Sequence, residues 1–362
     1  MRLLDLVHAL DAEVGRPATL SIVGTAKNVG KTTTLNWLIE RLAPQGPLGL
    51  TSVGRDGEDL DAVTDLPKPR IRPPVGTLLA TAEASARRAT APLTLVAGTG
   101  VHTGLGPVGI YRVTGRGAVE IAGPVTVEGA TSAREALVAA GAHRVLVDGA
   151  IDRRASASPH LADGVLLATG LAMAASGGAR LAPMPGGRAL TVARPEDTHE
   201  LRLAQTVTDS VTLANMLTVT QTTFAPLDNK SGYLDITETH IPYASGQALE
   251  DPEAFVAWLP DDLLAVALPG ALSEGLALAL LARRLPGIPI ILPDATHVVC
   301  RPATLARLAG RGHRIEVRKA IRLLAVTCNP TAPHVAALDA LDLLKALRAE
   351  LSIPVFDLVA QP

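Results

Sequence analysis

The strongest constraint on the fold lies in residues 18–36, which read ATLSIVGTAKNVGKTTTLN. The apolar run from Thr19 to Val23 predicts a buried strand, and the chain then breaks at Gly24 into a loop that ends at Gly30. A helix is predicted directly after the loop. Because its first N–H groups and its dipole converge on the loop, the segment predicts an anion site. The apolar positions at helical spacing are Leu35, Leu38, Ile39 and Leu42.

The loop resembles a phosphate-binding P-loop, in which a lysine contacts the β- and γ-phosphates of a nucleotide and the next hydroxyl binds Mg²⁺. Lys31 and Thr32 occupy these two positions. We expect the Lys31 side chain to be exposed before a ligand binds, so that its replacement would leave the fold intact. The standard pattern has glycine five residues before Gly30, where this chain has Thr25, and an ordinary glycine turn is the alternative interpretation. The predicted phosphate site consists of Gly24, Thr25, Asn28, Val29, Gly30, Lys31, Thr32 and Thr33.

Composition narrows the class of protein. The chain has 362 residues, a formal net charge of −2 and only 2% aromatic residues, which disfavours nucleic acid as a partner. No apolar run approaches the ~20 residues of a membrane span, and residues 1–16 predict a short amphipathic helix. The two cysteines, Cys300 and Cys328, lie in apolar runs and are expected to be buried thiols in a cytoplasmic protein.

Strands and helices alternate along the chain, which predicts an α/β fold with a doubly wound parallel sheet. We expect the N-terminal helix to be followed by a P-loop nucleotide-binding domain, a linker with a helical connection, and a second, smaller α/β unit. The predicted boundaries are 1–16, 17–170, 171–250 and 251–362.

Several local patterns give specific expectations. Residues 78–89 are rich in alanine and predict a short helix, and residues 196–217 predict a longer one. Residues 108–113 and 118–122 have an alternating pattern, are separated by a glycine turn at 115–117 and predict a hairpin. Ser132 and Glu135 have the spacing of a capping box and predict a helix start.

A phosphate loop needs a carboxylate near Mg²⁺ and a group that orients water before it can hydrolyse a nucleotide. Asp148 ends an apolar strand, as a Walker-B aspartate does, although such strands also end in Asp by chance. Asp56 follows the next strand after the loop helix and is a candidate metal or water ligand; a solvated acidic turn is the alternative.

Cationic groups near the phosphates are also candidates. Arg153 follows Asp148 closely and is a candidate arginine finger, with an ordinary exposed loop arginine as the alternative. Lys27 either adds charge to the phosphate site or faces water. Asn229-Lys230 lacks the context of a guanine-reading motif, which favours ATP over GTP. The histidines show no metal-ligand spacing, so Mg²⁺ is the only metal expected.

Two resemblances extend these predictions. The glycine loop is similar to that of dethiobiotin synthetase, and most of the chain resembles the P-loop ATPase subunit of lysine 5,6-aminomutase reactivase. The stretches that carry the second resemblance are LTSVGRDGEDLDAVT, KPRIRPPVGTLLATA, GTGVHTGLGPVGI with EIAGP, VDGAIDRRASASP, LPGALSEGLA, and AVTCNPTAPHVAALDALDLLKAL with IPVFDLV.

The resemblance implies an ATP- and Mg²⁺-dependent reactivating factor. Its expected partners are a MutS-like ATPase subunit and a cobalamin-dependent aminomutase, from which it would promote release of damaged cobalamin. Two other functions stay open: a small-molecule ligase of the dethiobiotin synthetase type, with Lys27 or Arg55 as a second cation, and a regulatory subunit that binds nucleotide without turnover. Asn329 lies in an Asn-Pro turn that is either structural or a contact to nucleotide or a partner.

Overall fold

A computed structural model describes residues 2–56, 70–149, 154–172, 198–219, 250–259, 261, 265–283, 285–332 and 337–360. The strands in these residues are listed here in chain order: β1 Leu20–Gly24, β2 Leu48–Ser52, β3 Arg55–Asp56, β4 Leu78–Ala82, β5 Leu93–Thr103, β6 Gly106–Val113, β7 Ile121–Ala122, β8 Arg144–Gly149, β9 Gly164–Gly170, β10 Val266–Ala267, β11 Pro289–Leu292, β12 Arg314–Val317, β13 Leu323–Asn329 and β14 Val355–Phe356.

The α-helices of the same residues alternate with these strands. They are α1 Leu3–Val14, α2 Lys31–Leu42, α3 Glu83–Arg88, α4 Val127–Ala139, α5 Thr198–Leu217, α6 Pro252–Trp258, α7 Glu274–Arg283, α8 Pro302–Gly310 and α9 Ala340–Glu350. The chain divides into two compact units. The first contains residues 1–178, 195–211 and 322–362, and the second contains residues 179–194 and 212–321.

A nine-stranded sheet forms the centre of the first unit, in the order β14-β13-β9-β1-β8-β2-β4-β6-β5. The strands from β14 to β4 are parallel, and β6 and β5 form an antiparallel hairpin at the edge. Every residue of β1, β2, β8 and β9 is buried, as expected for parallel strands that are covered on both faces. The α/β class and the mainly parallel central sheet are thus confirmed.

Alternate residues of the central strands pack against helices on opposite faces. Leu146 on β8 belongs to a core cluster with apolar residues of α1 and α2. Its neighbours Val145 and Val147 belong to a second cluster with apolar residues of α4. The first unit is therefore a three-layer structure, with the sheet between two helical layers.

Three ion pairs hold α1 and its C-terminal turn at the amino edge of the sheet. Asp11 accepts hydrogen bonds from the buried Arg144 on β8 and from the Ala18 main-chain N–H. Glu13 pairs with Arg322, and Arg16 pairs with Asp163. Burial alone would raise the pKa of Asp11, but the bonds from Arg144 and Ala18 lower it overall.

The second unit has its own three-stranded parallel sheet, in the order β10-β11-β12. Buried leucines of α7 and of α8 contribute to its core. The buried Asp294, two residues after the end of β11, accepts hydrogen bonds from the main chain and hydroxyl of Thr296 and contacts His297 Nδ1 at 3.2 Å.

Some sequence predictions are confirmed and others are wrong. The predicted helix at 196–217 is present as α5. The predicted helix over 78–89 is instead the strand β4 followed by α3, because the first five residues complete the central sheet. The predicted hairpin is also wrong: β6 pairs with β4 and β5, whereas β7 pairs with β3. Ser132 lies inside α4, whose N-cap is Thr126.

The predicted domain boundaries differ from the structure at the C-terminal end. Residues 322–362, which were assigned to the second unit, belong to the first, where β13 and β14 extend the large sheet beside β9. The predicted linker at 171–250 falls largely outside the described residues. Across the part of the chain that the structure describes, no helix has the length and apolarity to span a membrane.

The pH dependence of stability offers a test of the second unit. Glu274, at the start of α7, accepts hydrogen bonds from Arg301 N, Nε and Nη2 and from Thr304 Oγ1 at 2.6–2.8 Å. These bonds, chiefly those of the Arg301 side chain, lower the pKa of Glu274 from 4.5 to about 2. The carboxylate therefore stabilises the fold above pH 4.5, and this contribution is lost as the pH falls towards 2.

We expect Glu274→Gln to lower the thermal unfolding midpoint at pH 7, because glutamine cannot replace the carboxylate in these bonds. The difference from the wild type should shrink between pH 4.5 and 2. Thermal unfolding followed by circular dichroism from pH 2.5 to pH 7 measures both. Glu40→Gln is the control, since the Glu40 side chain is 80% exposed. A Glu274→Gln difference that stays constant down to pH 2.5 would contradict the assignment.

Candidate functional site

The candidate site lies where parallel strands of the first unit end at one edge of the sheet. The chain leaves β1 towards β2 on one side and leaves β9 towards β13 on the other. Ligands of open α/β sheets bind outside the carboxyl ends of the strands, where connections diverge in this way. The loop of residues 24–30, called here the glycine loop, follows β1 at this position and leads directly into α2.

The backbone of the glycine loop turns through two left-handed residues. Asn28 has φ of 62° and Gly30 has φ of 92°. Asparagine is one of the few non-glycine residues that tolerate this conformation. Backbone turns of this kind direct N–H groups into a concavity that suits an anion. Gly30 is also constrained by space, since a Cβ atom there would lie 3.1 Å from Asn329 Cβ.

Helix α2 adds its N-terminus to this concavity. Gly30 is the N-cap and carries no side chain that could cap the helix. The first N–H groups of an α-helix have no partner inside the helix, and the partial positive charge of the dipole is concentrated there. The local structure predicted from residues 18–36 is confirmed, with a buried strand, a glycine loop and the start of a helix in sequence.

A buried ion pair joins the glycine loop to the end of β8. Lys31 Nζ lies 3.1 Å from Asp148 Oδ1, and the two side chains are 14% and 3% exposed. Asp148 is aligned with Ile22 of β1 on one side and with Ser52 of β2 on the other. The two charged residues that the sequence singled out from separate motifs are therefore in direct contact.

This contact corrects one expectation. The side chain of Lys31 was expected to be exposed before a ligand binds, so that its replacement would leave the fold intact. In the structure it is mostly buried and neutralises Asp148. Removal of Lys31 alone would leave a buried carboxylate without its cation, which costs about 3–5 kcal/mol of stability in comparable cases.

Close backbone packing fixes the position of Asp148. The Val53 main-chain N–H donates to the Asp148 main-chain carbonyl at 3.2 Å. At the next residue, Gly149, a Cβ atom would collide with the side chain of Ser156 and approach the Ile22 carbonyl to 3.2 Å. A glycine is thus required beside the aspartate, a feature that an apolar strand ending in Asp does not reveal by itself.

Asn329, at the end of β13, holds the glycine loop from the other side. Its Nδ2 donates to the Asn28 carbonyl at 3.2 Å, and its Oδ1 accepts from the Thr331 main-chain N–H at 3.1 Å and from the Thr331 hydroxyl at 2.8 Å. The sequence left Asn329 open between a structural turn and a functional contact. In the sequence, the signal for a functional role was the position of Asn329 at the end of an apolar strand, which is also the position of Asp148.

A small cleft opens beside the glycine loop, between the first turns of α2 and the ends of β13 and β14. Asn329 and the partly exposed Thr33 on α2 provide polar groups, and Leu358 and Val359 provide apolar surface. Its lining residues are Val29, Gly30, Thr33, Thr34, Thr327, Cys328, Asn329, Leu358 and Val359.

Cys328 is an inert member of this lining. Burial raises the pKa of its thiol to about 12, and the nearby Asp357 contributes in the same direction. The thiol therefore stays protonated at neutral pH and is a poor nucleophile. Both cysteines are buried and neither forms a disulfide, as the sequence predicted.

The remaining predicted site residues are only partly located. The backbone of Asp56 pairs with Ile121 in the short β3–β7 ladder, and its side chain, like that of Arg55, lies outside the description. Arg153 lies outside the described residues. Lys27 is exposed at the tip of the glycine loop, and Thr32 lies in the first turn of α2.

Among the described side chains, no cluster of three or more His, Cys, Asp or Glu residues could hold a metal ion. Asp148 provides a carboxylate near Lys31, and Thr32, the next residue in the sequence, provides a hydroxyl. Such groups suit Mg²⁺, which keeps several of its waters and takes few protein ligands.

Comparison with known proteins adds no relative. No protein-family model matches the chain, and neither the curated proteins nor the solved structures include a match.

We expect Asn329→Ala to weaken the Mg·ATP binding that the sequence predicts about tenfold, because the loss of one loop-holding hydrogen bond costs about 1–1.5 kcal/mol. Isothermal titration calorimetry measures the dissociation constant. Asn36→Ala is a matched control, because Asn36 on α2 also donates its amide to a carbonyl, that of Arg70, at 3.2 Å. Equal affinities of the Asn329 and Asn36 variants would show that the bond to Asn28 does not shape the loop.

Proposed function

We propose that the first unit is a P-loop NTPase domain that binds ATP at the glycine loop. The observation that carries the proposal is the buried pair of Lys31 and Asp148 at the start of α2. A lysine at this position can reach the β- and γ-phosphates, and an aspartate at the end of the adjacent strand suits the metal or its water. The loop N–H groups and the helix dipole favour the phosphate charge.

The Lys31–Asp148 pair gives the proposed site a defined electrostatic state. Each charge neutralises the other in a position where an isolated charge would be costly. A phosphate tail in the loop offers Lys31 a second anionic partner. Asp148 is then available to the cation, so that nucleotide binding exchanges one set of charge contacts for another.

Mg²⁺ is the metal that these residues would hold. When bound, it neutralises phosphate charge and polarises the transferred phosphoryl group. Thr32 would bind it through its hydroxyl, and Asp148 would bind it directly or through water. Lys31 and the N–H groups of the glycine loop would position the phosphates by donating hydrogen bonds to them.

We assign the nucleoside to the cleft beside the loop. The cleft combines the amide of Asn329 with apolar surface from Leu358 and Val359, and Val359 is 74% exposed. Small-molecule sites typically join a mainly apolar wall to a few polar groups. Adenine is the proposed base.

The activity we propose is ATP hydrolysis coupled to remodelling of a partner. The resemblance to the reactivase subunit favours a cobalamin-dependent aminomutase as client and a MutS-like ATPase as the companion subunit. A change from a mostly closed to a mostly open client needs about 5.5 kcal/mol of differential stabilisation. Loops that order around the γ-phosphate and are released after hydrolysis provide such a cycle in other NTPases.

Phosphate release in the presence and absence of the aminomutase tests the coupling. Stimulation by the mutase is the expected result. Turnover that depends instead on a small carboxylate or amine acceptor would indicate a ligase of the dethiobiotin synthetase type. Binding of ATP without turnover under any condition would indicate a regulatory nucleotide-binding subunit.

The ion pair allows nucleotide binding to be separated from stability. Lys31→Met should abolish detectable ATP binding and lower the free energy of unfolding by about 3 kcal/mol, because Asp148 is left buried without its cation. The double variant Lys31→Met with Asp148→Asn should recover most of that stability and still fail to bind ATP. Calorimetry with Mg·ATP and urea unfolding measure the two effects.

The matched comparison is Asp148→Asn alone, in which Lys31 keeps its charge. It should bind ATP but hydrolyse it slowly, since the carboxylate that serves the metal is absent. Normal ATP hydrolysis by Lys31→Met would refute the assignment of the site.

A further inference from the structure

A chain of buried hydroxyl groups leads from the glycine loop to α5. Thr25 Oγ1 donates to Thr169 Oγ1 at 3.2 Å, and Thr169 Oγ1 lies 2.6 Å from Ser210 Oγ. Ser210 Oγ in turn donates to the Thr206 main-chain carbonyl at 2.5 Å. The side chains of Thr25, Thr169 and Ser210 are all buried, at 4%, 0% and 0% exposure.

One arrangement of the protons satisfies all three hydroxyl groups of this row. A hydroxyl has one proton to donate. Ser210 gives its proton to the carbonyl one helical turn back, as buried helical serines commonly do. In this arrangement Thr169 donates to Ser210 and accepts from Thr25. All protons point from the loop towards the helix, and hydrogen bonds aligned in this way polarise and strengthen one another.

The two ends of this row of hydroxyl groups lie on different elements of the first unit. Thr25 is the first residue after Gly24, and its main-chain N–H donates to the Ala168 carbonyl at 2.9 Å, which ties the glycine loop to β9. Ser210 lies on α5, and the boundary between the two compact units falls inside that helix, after Val211. Thr25 is also the position at which the standard loop pattern has glycine.

We infer that Thr169 and Ser210 are positioning residues that couple the nucleotide state of the glycine loop to the order of α5. An anion bound in the loop restrains Thr25, and each hydroxyl in turn has one orientation that satisfies both of its neighbours. Coupling of this kind is reciprocal. Bound nucleotide orders the helix, and loss of the hydrogen bonds between the hydroxyl groups weakens nucleotide binding by the same factor. The inference rests on the proposed binding of ATP.

A matched set of variants can test the row of hydroxyl groups. Thr169→Val keeps the shape of the side chain and removes the central hydroxyl, whereas Thr169→Ser keeps the hydroxyl. Thr206→Val is the control. The Thr206 hydroxyl is also fully buried and has no hydrogen-bond partner among the described residues, and its main-chain carbonyl is unchanged by the substitution.

The experiment combines calorimetry with Mg·ATP and hydrogen exchange of the α5 amides, each on the full-length chain. In the wild type, Mg·ATP should slow exchange across residues 206–217 about tenfold or more, as the helix is held more firmly. Thr169→Val should weaken ATP binding about five- to tenfold, the usual effect of one buried hydrogen bond, and should remove this protection. Thr169→Ser and Thr206→Val should behave like the wild type.

The outcomes separate this inference from the proposed function. No ATP binding by the wild type would overturn both. ATP binding by the wild type without added protection of α5, or with the same protection in Thr169→Val, would overturn the coupling and leave the nucleotide site standing. Equal losses in Thr169→Val and Thr206→Val would also overturn it, because they would reflect general packing rather than the hydroxyl chain.

Discussion

The contact between Lys31 and Asp148 is the interaction on which the rest of the site depends. Two charges that are almost fully removed from water persist only if the backbone holds them together, because the desolvation of each is compensated by the other. Three elements must therefore be in place at once: β1 with its loop, α2, which starts at Lys31, and β8, which ends beside Asp148. The glycine at 149 and the strand register serve this one contact.

Much of the fold and the centre of the site were predictable from the sequence, because both are written in local patterns. The glycine loop, α2, β8 and α5 have clear apolar periodicity or characteristic residues, and the structure contains each of them. Lys31 and Asp148 belong to two such patterns. Their contact follows from a general rule, that parallel strands end at the same edge of a sheet.

Predictions that required knowledge of distant partners were wrong or incomplete. Residues 78–82 have a helical composition but form β4, since a neighbouring strand satisfies their backbone groups. The pairing of β6 with β4 and the placement of β13 beside β9 are set by tertiary contacts that no local pattern encodes. Asn329 was underestimated for the same reason, since its partner, Asn28, is 301 residues away in the sequence.

The long sequence separation between β9 and β13 has a consequence for synthesis of the protein on the ribosome. One of the two strands that border β9 is β13, which consists of residues 323–329. More than a hundred residues separate β9 and β13 in the sequence, although they are neighbours in the sheet. Until β13 emerges, a nascent chain exposes an unpaired, apolar strand in the middle of its future sheet, a state prone to misassembly. Closing so long a loop is also slow. The glycine loop consequently gains its hydrogen bond from Asn329 only after β13 has emerged, and until then the edge of β9 is open to wrong partners.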